Sequence, residues 1–402
     1  MPIRWTTTNR GQIVLTNANH TRIFEKVFAK MIIPIILSVF AAVIGITGFV
    51  IIYYAVETRR QGFKIFRQKL EYFSSVVSID ENHITFRPRG RDISDGQLPN
   101  IGLTSREGSL VAGGPTSIVN GVITRKIISR TGCLKKNSKI KTSLFVYEDN
   151  PKIDLDLEYS DVSFESELGI LTGWHIPVDS NSWIIGIHGH RSYRTESMRF
   201  VPTLHRLGLN VLLSDYRNDQ NAPVDKGGYH MFGLTEWRDL ESAVKFCNDR
   251  GAKKIFLMGH SMGGAIVIKY LLESTTKSQI HGAILESPAL NLNKIIGMKA
   301  EEIPLLPRGA EYPIKKLVSR MVNIRWEDLN YLSRSDELST PILLIHSNAD
   351  KTVPVSLSDS LANSRPDIVT YLRLDEAPHG AAWNVHKEAV ENDIKAFLSE
   401  KI

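Results

Sequence analysis

The chain has 402 residues, enough for one large domain or two ordinary ones, and the composition of a globular protein with a substantial core. Its two cysteines, Cys133 and Cys247, are too few for a disulfide framework. Residues 1–150 carry 21 Lys and Arg against 10 Asp and Glu, whereas residues 151–402 carry 28 Lys and Arg against 33 Asp and Glu. The second part has no basic stripe with interleaved aromatic residues, which argues against a nucleic-acid partner.

The first predicted element is an apolar helix over residues 31–56, which follows an N-terminal tail of residues 1–30. The apolar stretch contains no charged side chain, and about 20 such residues are enough to cross the hydrocarbon core of a bilayer. Tyr53 and Tyr54 lie where an interfacial aromatic belt is expected, and Pro34 lies near the start, where a helix tolerates it. The length argues against a buried core helix, and the missing cleavage site argues against a signal peptide. We predict an uncleaved, single-pass membrane anchor.

The flanking charges do not determine the orientation of this anchor. Five basic residues lie in the 30 residues before it and five in the 20 residues after it, so the positive-inside rule does not discriminate. We expect the short tail to stay inside and the large domain that follows the anchor to be extracytoplasmic.

Residues 57–74 continue a helical pattern, with Phe63, Phe66, Leu70 and Phe73 among basic residues. This basic amphipathic stalk could lie on anionic headgroups, or it could simply extend the anchor away from the membrane. Both interpretations stay open. The next segment, residues 75–150, is predicted as a small β-rich accessory region, because short apolar alternations are separated by glycine-rich turns. We find no catalytic constellation in it.

Residues 151–402 alternate short apolar runs with amphipathic helices. Runs such as "SWIIGI", "KKIFLMGH" and "PILLIH" have the length of buried strands, and the stretches between them have helical spacing. This alternation predicts an α/β fold with a mostly parallel sheet covered by helices on both faces. Ligands bind such sheets at the carboxyl ends of the strands.

A serine lies at one of these strand ends, in the sequence Gly259-His260-Ser261-Met262-Gly263. The G-x-S-x-G pattern, preceded by a strand and followed by a helix, predicts a nucleophile elbow. Gly259 and Gly263 allow strand and helix to approach closely at so sharp a turn. The Ser261 hydroxyl is then presented to an incoming carbonyl group.

Two further residues have the chemistry and chain order that a serine nucleophile needs. His379 follows the last predicted strand and can act as the base, and Asp350 follows the strand "PILLIH" and can orient that histidine. The order Ser261, Asp350, His379 is the one expected for this kind of sheet. Glu286, which also ends a predicted strand, stays open as the alternative acid.

The oxyanion of an attacked carbonyl requires hydrogen-bond donors. We expect these to be the main-chain N–H groups of Met262 and His190. The histidines His188, His190 and His260 do not have the spacing of a metal site, so we expect neither a metal nor a cofactor.

Residues of about 155–402 resemble the α/β-hydrolase superfamily, in particular its serine esterase, monoglyceride-lipase and prolyl-oligopeptidase-like branches. The motifs that carry the resemblance occur in family order: "IHGH", "DYR", "GHSMGG", "HSNADKTVP" and "PHG". The resemblance implies a Ser261–Asp350–His379 triad with acyl-enzyme chemistry. A serine nucleophile is unlike the dehalogenase and epoxide-hydrolase branches, and "HGH" lacks the HGGG run of some esterases.

The connection over residues 291–338 is long, and we predict a helical cap insertion above the substrate pocket. A peripheral insertion without substrate contact is the alternative. Taken together, the sequence predicts a membrane-anchored, lipase-like serine esterase that acts on small-molecule or lipid esters. A serine peptidase or an acyltransferase could use the same residues. A non-catalytic binding module at the membrane would have no need of an ordered triad.

Overall fold

The computed structural model describes residues 5–7, 13–15, 25–65, 72–90, 92–304 and 306–402. Most of the predicted N-terminal tail therefore lies outside the described residues. Within the tail, β1 (Trp5–Thr7) pairs antiparallel with β2 (Ile13–Leu15).

One long helix runs from Glu25 to Phe63, and its central part is α1 (Ile33–Thr58). The helix is long and apolar enough to cross a membrane, and its apolar side chains point outward, with Phe40 62% and Phe49 70% exposed. It extends beyond both ends of the predicted segment, 31–56. Charged residues end the apolar stretch, but they do not interrupt the helical hydrogen bonds.

The predicted basic amphipathic helix over residues 57–74 is helical in the described residues only as far as Phe63. The Phe63 ring is fully buried in the protein instead of facing lipid headgroups, and Phe73 is exposed just before the next strand. Two residues of the predicted apolar face lie outside the described residues: Phe66 and Leu70.

The β-rich region forms a small closed barrel with the strand order β3-β4-β7-β6-β5-β8. Its strands are β3 (Ser74–Ile79), β4 (His83–Arg87), β5 (Ile101–Thr104), β6 (Gly108–Val119), β7 (Val122–Gly132) and β8 (Lys139–Ser143), with the short helix α2 (Asp92–Asp95) between β4 and β5. Asn120 and Gly121, with φ of 50° and 72°, form the tight turn between β6 and β7. Alternate residues point into the barrel and fill it with apolar side chains. The helix α3 (Pro151–Leu155) follows.

The rest of the chain forms an eight-stranded sheet in the order β16-β15-β14-β13-β11-β12-β10-β9. The strands are β9 (Ser160–Ser166), β10 (Gly169–Ile176), β11 (Ser182–Ile187), β12 (Asn210–Ser214), β13 (Lys254–His260), β14 (Ile280–Glu286), β15 (Ile342–Ser347) and β16 (Val369–Leu374). Strands β11 to β16 are parallel, and only β9 and β10 are antiparallel to their neighbours. This is the predicted, mostly parallel α/β sheet.

Helices cover both faces of this sheet and bury two apolar layers. They are α4 (Val201–Arg206), α5 (Trp237–Asp249), α6 (Met262–Glu273), α9 (Ser356–Ser364), α10 (Ala382–Val385) and α11 (Lys387–Ser399). The central strands β11 and β15 are buried along their whole length and β14 at every position except His281, which explains their continuous apolar sequence.

The segment between β14 and β15 contains α7 (Leu292–Glu301) and α8 (Glu311–Val322), followed by two short helical turns. The helix α8 packs against α1. The buried Ala55, together with Ile51 and Tyr54, lies against the same apolar layer as α8. The last turns of the long helix are therefore part of the folded domain.

Candidate active site

The strand β13 meets the helix α6 at Ser261, which has φ 51° and ψ −113°. This conformation is uncommon for a residue other than glycine and is typical of a strained, functional turn. A Cβ atom on Gly259 would lie 2.5 Å from the carbonyl oxygen of Gly263, and one on Gly263 would lie 2.2 Å from the carbonyl oxygen of Ile187. Only glycine fits at both positions, so the two glycines permit the sharp turn as the sequence predicts.

The three residues predicted as a triad form a hydrogen-bonded series in which His379 contacts both other members. Nε2 of His379 is 3.0 Å from Oγ of Ser261, and Nδ1 of His379 is 2.6 Å from Oδ2 of Asp350. Ser261 follows β13, Asp350 follows β15 and His379 follows β16. Because these parallel strands end at the same edge of the sheet, three residues that are distant in sequence converge there.

Asp350 is buried, and its other contacts fix the carboxylate. Oδ1 accepts hydrogen bonds from the main-chain N–H groups of Thr352 (2.8 Å) and Val353 (2.9 Å). Oδ2 also lies 3.2 Å from Nε2 of His346, a buried residue of β15. Burial alone would raise the pKa of Asp350, but the hydrogen bonds from His346 and His379 hold it well below its usual range. The carboxylate is therefore charged at neutral pH.

The two residues predicted to bind the oxyanion lie in different parts of the chain. Met262 directly follows Ser261, and His190 lies in the loop after β11. Met262 is the first residue of α6, where a helix leaves its main-chain N–H groups without partners inside the helix. In the loop after β11, the N–H of Gly189 donates to Oε2 of Glu196 and is thus occupied. Among the residues that the structure describes, no acceptor pairs with the main-chain N–H of His190. This N–H can therefore donate to a bound group.

Glu286, the alternative acid, has different partners. Its Oε2 accepts a hydrogen bond from Arg199 at 2.6 Å and lies 3.2 Å from Nδ1 of His260. Burial would raise the pKa of Glu286, but Arg199 and His260 lower it to about 2. The geometry therefore pairs Glu286 with the Arg199 guanidinium. The carboxylate that contacts His379 is that of Asp350.

Arg199 and Glu196 are site residues that the sequence analysis missed. The buried Arg199 guanidinium donates to the carbonyl of Gly380, the residue after His379, at 2.9 Å, and to Glu286. Glu196 also lies 3.4 Å from His260 through Oε1. Both belong to the short helical segment Arg194–Phe200, whose residues are mostly polar, so no sequence signal distinguishes these buried side chains from solvated ones.

A group of three side chains, His188, Asp215 and Asp219, has ligand atoms within 4.8 Å of one another. Asp215 pairs with Arg194, and Nε2 of His188 lies 3.0 Å from Asp219. Burial would lower the pKa of His188, but Asp219 raises it to about 9. A metal ion would have to displace the His188 proton and the contacts with Arg194 and Asp219, and in the structure the three side chains form a buried ion-pair network.

A cavity of about 760 Å³ lies between the barrel and the sheet, away from the triad. Its lining includes Thr104 and Glu148 from the barrel region and Trp174 and Asp215 from the sheet region. Glu148 pairs with Lys141 at 3.0 Å and Asp215 pairs with Arg194, so the charged groups of the wall already have partners. The volume alone does not indicate a ligand.

Comparison with known proteins identifies a matching family model and several proteins of similar sequence. Residues 179–335 match the family model described as Serine aminopeptidase, S33. The protein YqkD of Bacillus subtilis is 23% identical over 234 residues, which cover 57% of this chain and 75% of YqkD. Lysophosphatidylserine lipase ABHD12 of Danio rerio is 22% identical over 225 residues, which cover 51% of this chain and 50% of that lipase.

Among solved structures, the esterase Pf2001 of Pyrococcus furiosus is similar with 28% sequence identity and a TM-score of 0.52. The matched region covers 63% of this chain and 96% of the esterase. The similarity thus spans nearly the whole esterase, while more than a third of this chain lies outside the match.

Proposed function

We propose, from the premise that this chain belongs to the α/β-hydrolase superfamily, that it is a membrane-anchored serine hydrolase that cleaves carboxylic esters. The observation that carries the proposal is the hydrogen-bonded series Ser261–His379–Asp350, with the serine at a strained elbow. A structural serine would need neither a base at 3.0 Å nor a buried carboxylate behind that base. The same features argue against a non-catalytic binding module.

The proposed reaction has two halves. His379 takes the proton of Ser261 as the hydroxyl oxygen attacks the ester carbonyl, and Asp350 stabilises the resulting imidazolium. The N–H groups of Met262 and His190 would bind the oxyanion. His379 then protonates the departing alcohol, and an acyl group remains on Ser261. Water, deprotonated by the same histidine, releases the acid.

Two observations support a lipid-like ester as the substrate. The apolar stretch of 26 residues exceeds the roughly 20 needed to span a bilayer, and its last turns pack against the domain beside α8. The cap segment, residues 291–338, would therefore lie close to the membrane surface. In addition, a lysophosphatidylserine lipase is among the similar proteins, and an esterase is among the similar solved structures.

The single-pass anchor is itself testable. We expect the full chain to remain in the membrane pellet after an alkaline carbonate wash, because extraction would expose the apolar helix to water. A chain that begins at residue 57 is the matched control and should be released into the supernatant. Release of the full chain would contradict an integral anchor. Reporter fusions at either end would then test whether the catalytic domain is extracytoplasmic.

A serine peptidase and an acyltransferase are the alternatives, and the matching family description supports the first. We expect the purified protein to turn over monoacylglycerols or short p-nitrophenyl esters faster than blocked peptide amides of matched size. Initial rates for both substrate classes, measured in the same detergent, provide the comparison. Faster amide turnover would favour the peptidase, and an ester product formed with an added alcohol would favour acyl transfer.

A further inference from the structure

The apolar helix does not merely lead to the catalytic domain, because its last residues are bound to it. We use the term anchor end for residues 59–65. The main-chain N–H of His230 donates to the carbonyl of Phe63 at 2.7 Å, and the N–H of Ile65 donates to the carbonyl of Gly228 at 3.3 Å. The anchor end therefore forms a single antiparallel β-bridge, Lys64 with Tyr229, with a loop of the hydrolase domain.

Arg191 connects the anchor end to the loop after β11, residues 188–193, which we call the oxyanion loop. Its Nη2 donates to the carbonyl of Arg60 at 2.7 Å, and its Nη1 donates to Oε1 of Gln61 at 3.1 Å. Arg191 directly follows His190, the proposed oxyanion donor. It has a φ of 58°, a left-handed conformation that non-glycine residues adopt only where contacts stabilise it. The two hydrogen bonds to the anchor end are such contacts.

Phe63 provides a second connection through aromatic packing. Its fully buried ring lies 5.9 Å from the ring of Phe232 and 6.0 Å from that of Trp326, measured between centroids. The ring of Phe232 in turn lies 5.3 Å from the ring of His190. The Phe63 ring of the anchor end therefore packs between Trp326 of the cap segment and Phe232, whose ring contacts His190.

We propose that Arg191 and Phe63 are positioning residues that hold the oxyanion loop, so that the anchor end helps to arrange the active site as well as to attach the domain. This inference rests on the proposed function, because the position of the His190 N–H matters only if an oxyanion forms. A displacement of about 1 Å in such a group can lower a rate by about 100-fold. Neither side chain touches Ser261, Asp350 or His379 in the described hydrogen bonds and ring contacts.

The test compares four full-length variants in one detergent: Arg191→Ala, Arg191→Lys, Phe63→Ala and, as a control, Phe49→Ala. Phe49 lies on the same helix with its ring 70% exposed, in the stretch that would face lipid. A short soluble ester is the substrate, so that membrane delivery cannot limit the rate. We measure kcat, KM and the midpoint of thermal unfolding for each variant.

We expect Arg191→Ala and Phe63→Ala to lower kcat by about 10- to 100-fold with KM changed less than about threefold, since oxyanion contacts act mainly in the transition state. Arg191→Lys should recover part of the loss, because an ammonium group can still donate to the Arg60 carbonyl, and Phe49→Ala should match the wild type. If Phe63→Ala does not fold, Phe63→Leu replaces it and should show the same kcat defect.

Wild-type kcat in Arg191→Ala and in the Phe63 variant would overturn this inference and leave the proposed function intact. Equal losses in Arg191→Lys and Arg191→Ala, with lowered unfolding midpoints in both, would also overturn it in favour of a purely structural role. A wild type that hydrolyses no ester and resembles Ser261→Ala would overturn both proposals. The outcomes therefore separate failure of the inference from failure of the function.

Discussion

Ser261→Ala is expected to lower ester hydrolysis by about 10⁴-fold or more, to a rate set by substrate binding and the remaining oxyanion donors. The substitution removes the attacking oxygen, while His379, Asp350 and the elbow glycines stay in place. Alanine is smaller than serine, so the fold should be retained, and thermal unfolding would verify this. Initial rates on a short p-nitrophenyl ester, compared at equal concentrations of folded protein, measure the effect.

Ser287→Ala is the matched control for this experiment. Like Ser261, Ser287 follows a central strand and has a positive φ, 48°, but it is buried and makes no hydrogen bond to a histidine in the described contacts. Its variant should retain a rate within about threefold of the wild type. Equal rates for Ser261→Ala and the wild type would show that another group performs the hydrolysis.

Asp350→Asn is expected to lower kcat by about 10²- to 10⁴-fold. Asparagine keeps the size of the side chain but removes the charge that stabilises the His379 imidazolium, and its amide can favour the wrong tautomer. Because its hydrogen bonds hold the Asp350 pKa below its usual range, the wild-type carboxylate stays ionised as pH falls from 9 to 6. Asp350 therefore supports His379 throughout this interval, and the kcat of Asp350→Asn on a short p-nitrophenyl ester should stay below that of the wild type at every pH in it.

Glu286→Gln distinguishes the two candidate acids. Because Glu286 pairs with Arg199 and His260, its neutralisation should reduce stability, with kcat lowered by less than about tenfold. The folded protein lowers the pKa of Glu286 to about 2, so its stabilising contribution is present above the pKa of the unfolded chain and is lost as pH falls toward 2. A larger kcat loss in Glu286→Gln than in Asp350→Asn would assign the acid to Glu286.

The fold of the catalytic domain follows from sequence patterns because its signals are local. Strands buried on both faces require continuous apolar runs, and a sharp strand–helix turn requires glycine at Gly259 and Gly263. The three residues proposed as a triad each follow a strand of one parallel sheet, so their positions along the chain predict their convergence. These features do not depend on knowing which distant side chains meet.

Other features depend on contacts that the sequence does not encode locally. The closed barrel needs β8 to pair with β3, which a pattern of alternating residues cannot indicate. Phe63 fits an amphipathic membrane helix by spacing, and only the tertiary structure directs its ring toward Phe232 and Trp326. Arg199 was missed for the same reason, because buried arginines are uncommon and its partners lie far away in sequence.

The central claim is that Ser261 is an activated nucleophile that becomes acylated. The most direct measurement is mass-spectrometric mapping of the full-length protein after reaction with a fluorophosphonate, with Ser261→Ala treated in parallel. We predict one phosphonate adduct, on the peptide that contains Ser261, and no adduct in the variant. An unmodified wild type that is folded, or an adduct on a different residue, would contradict the claim.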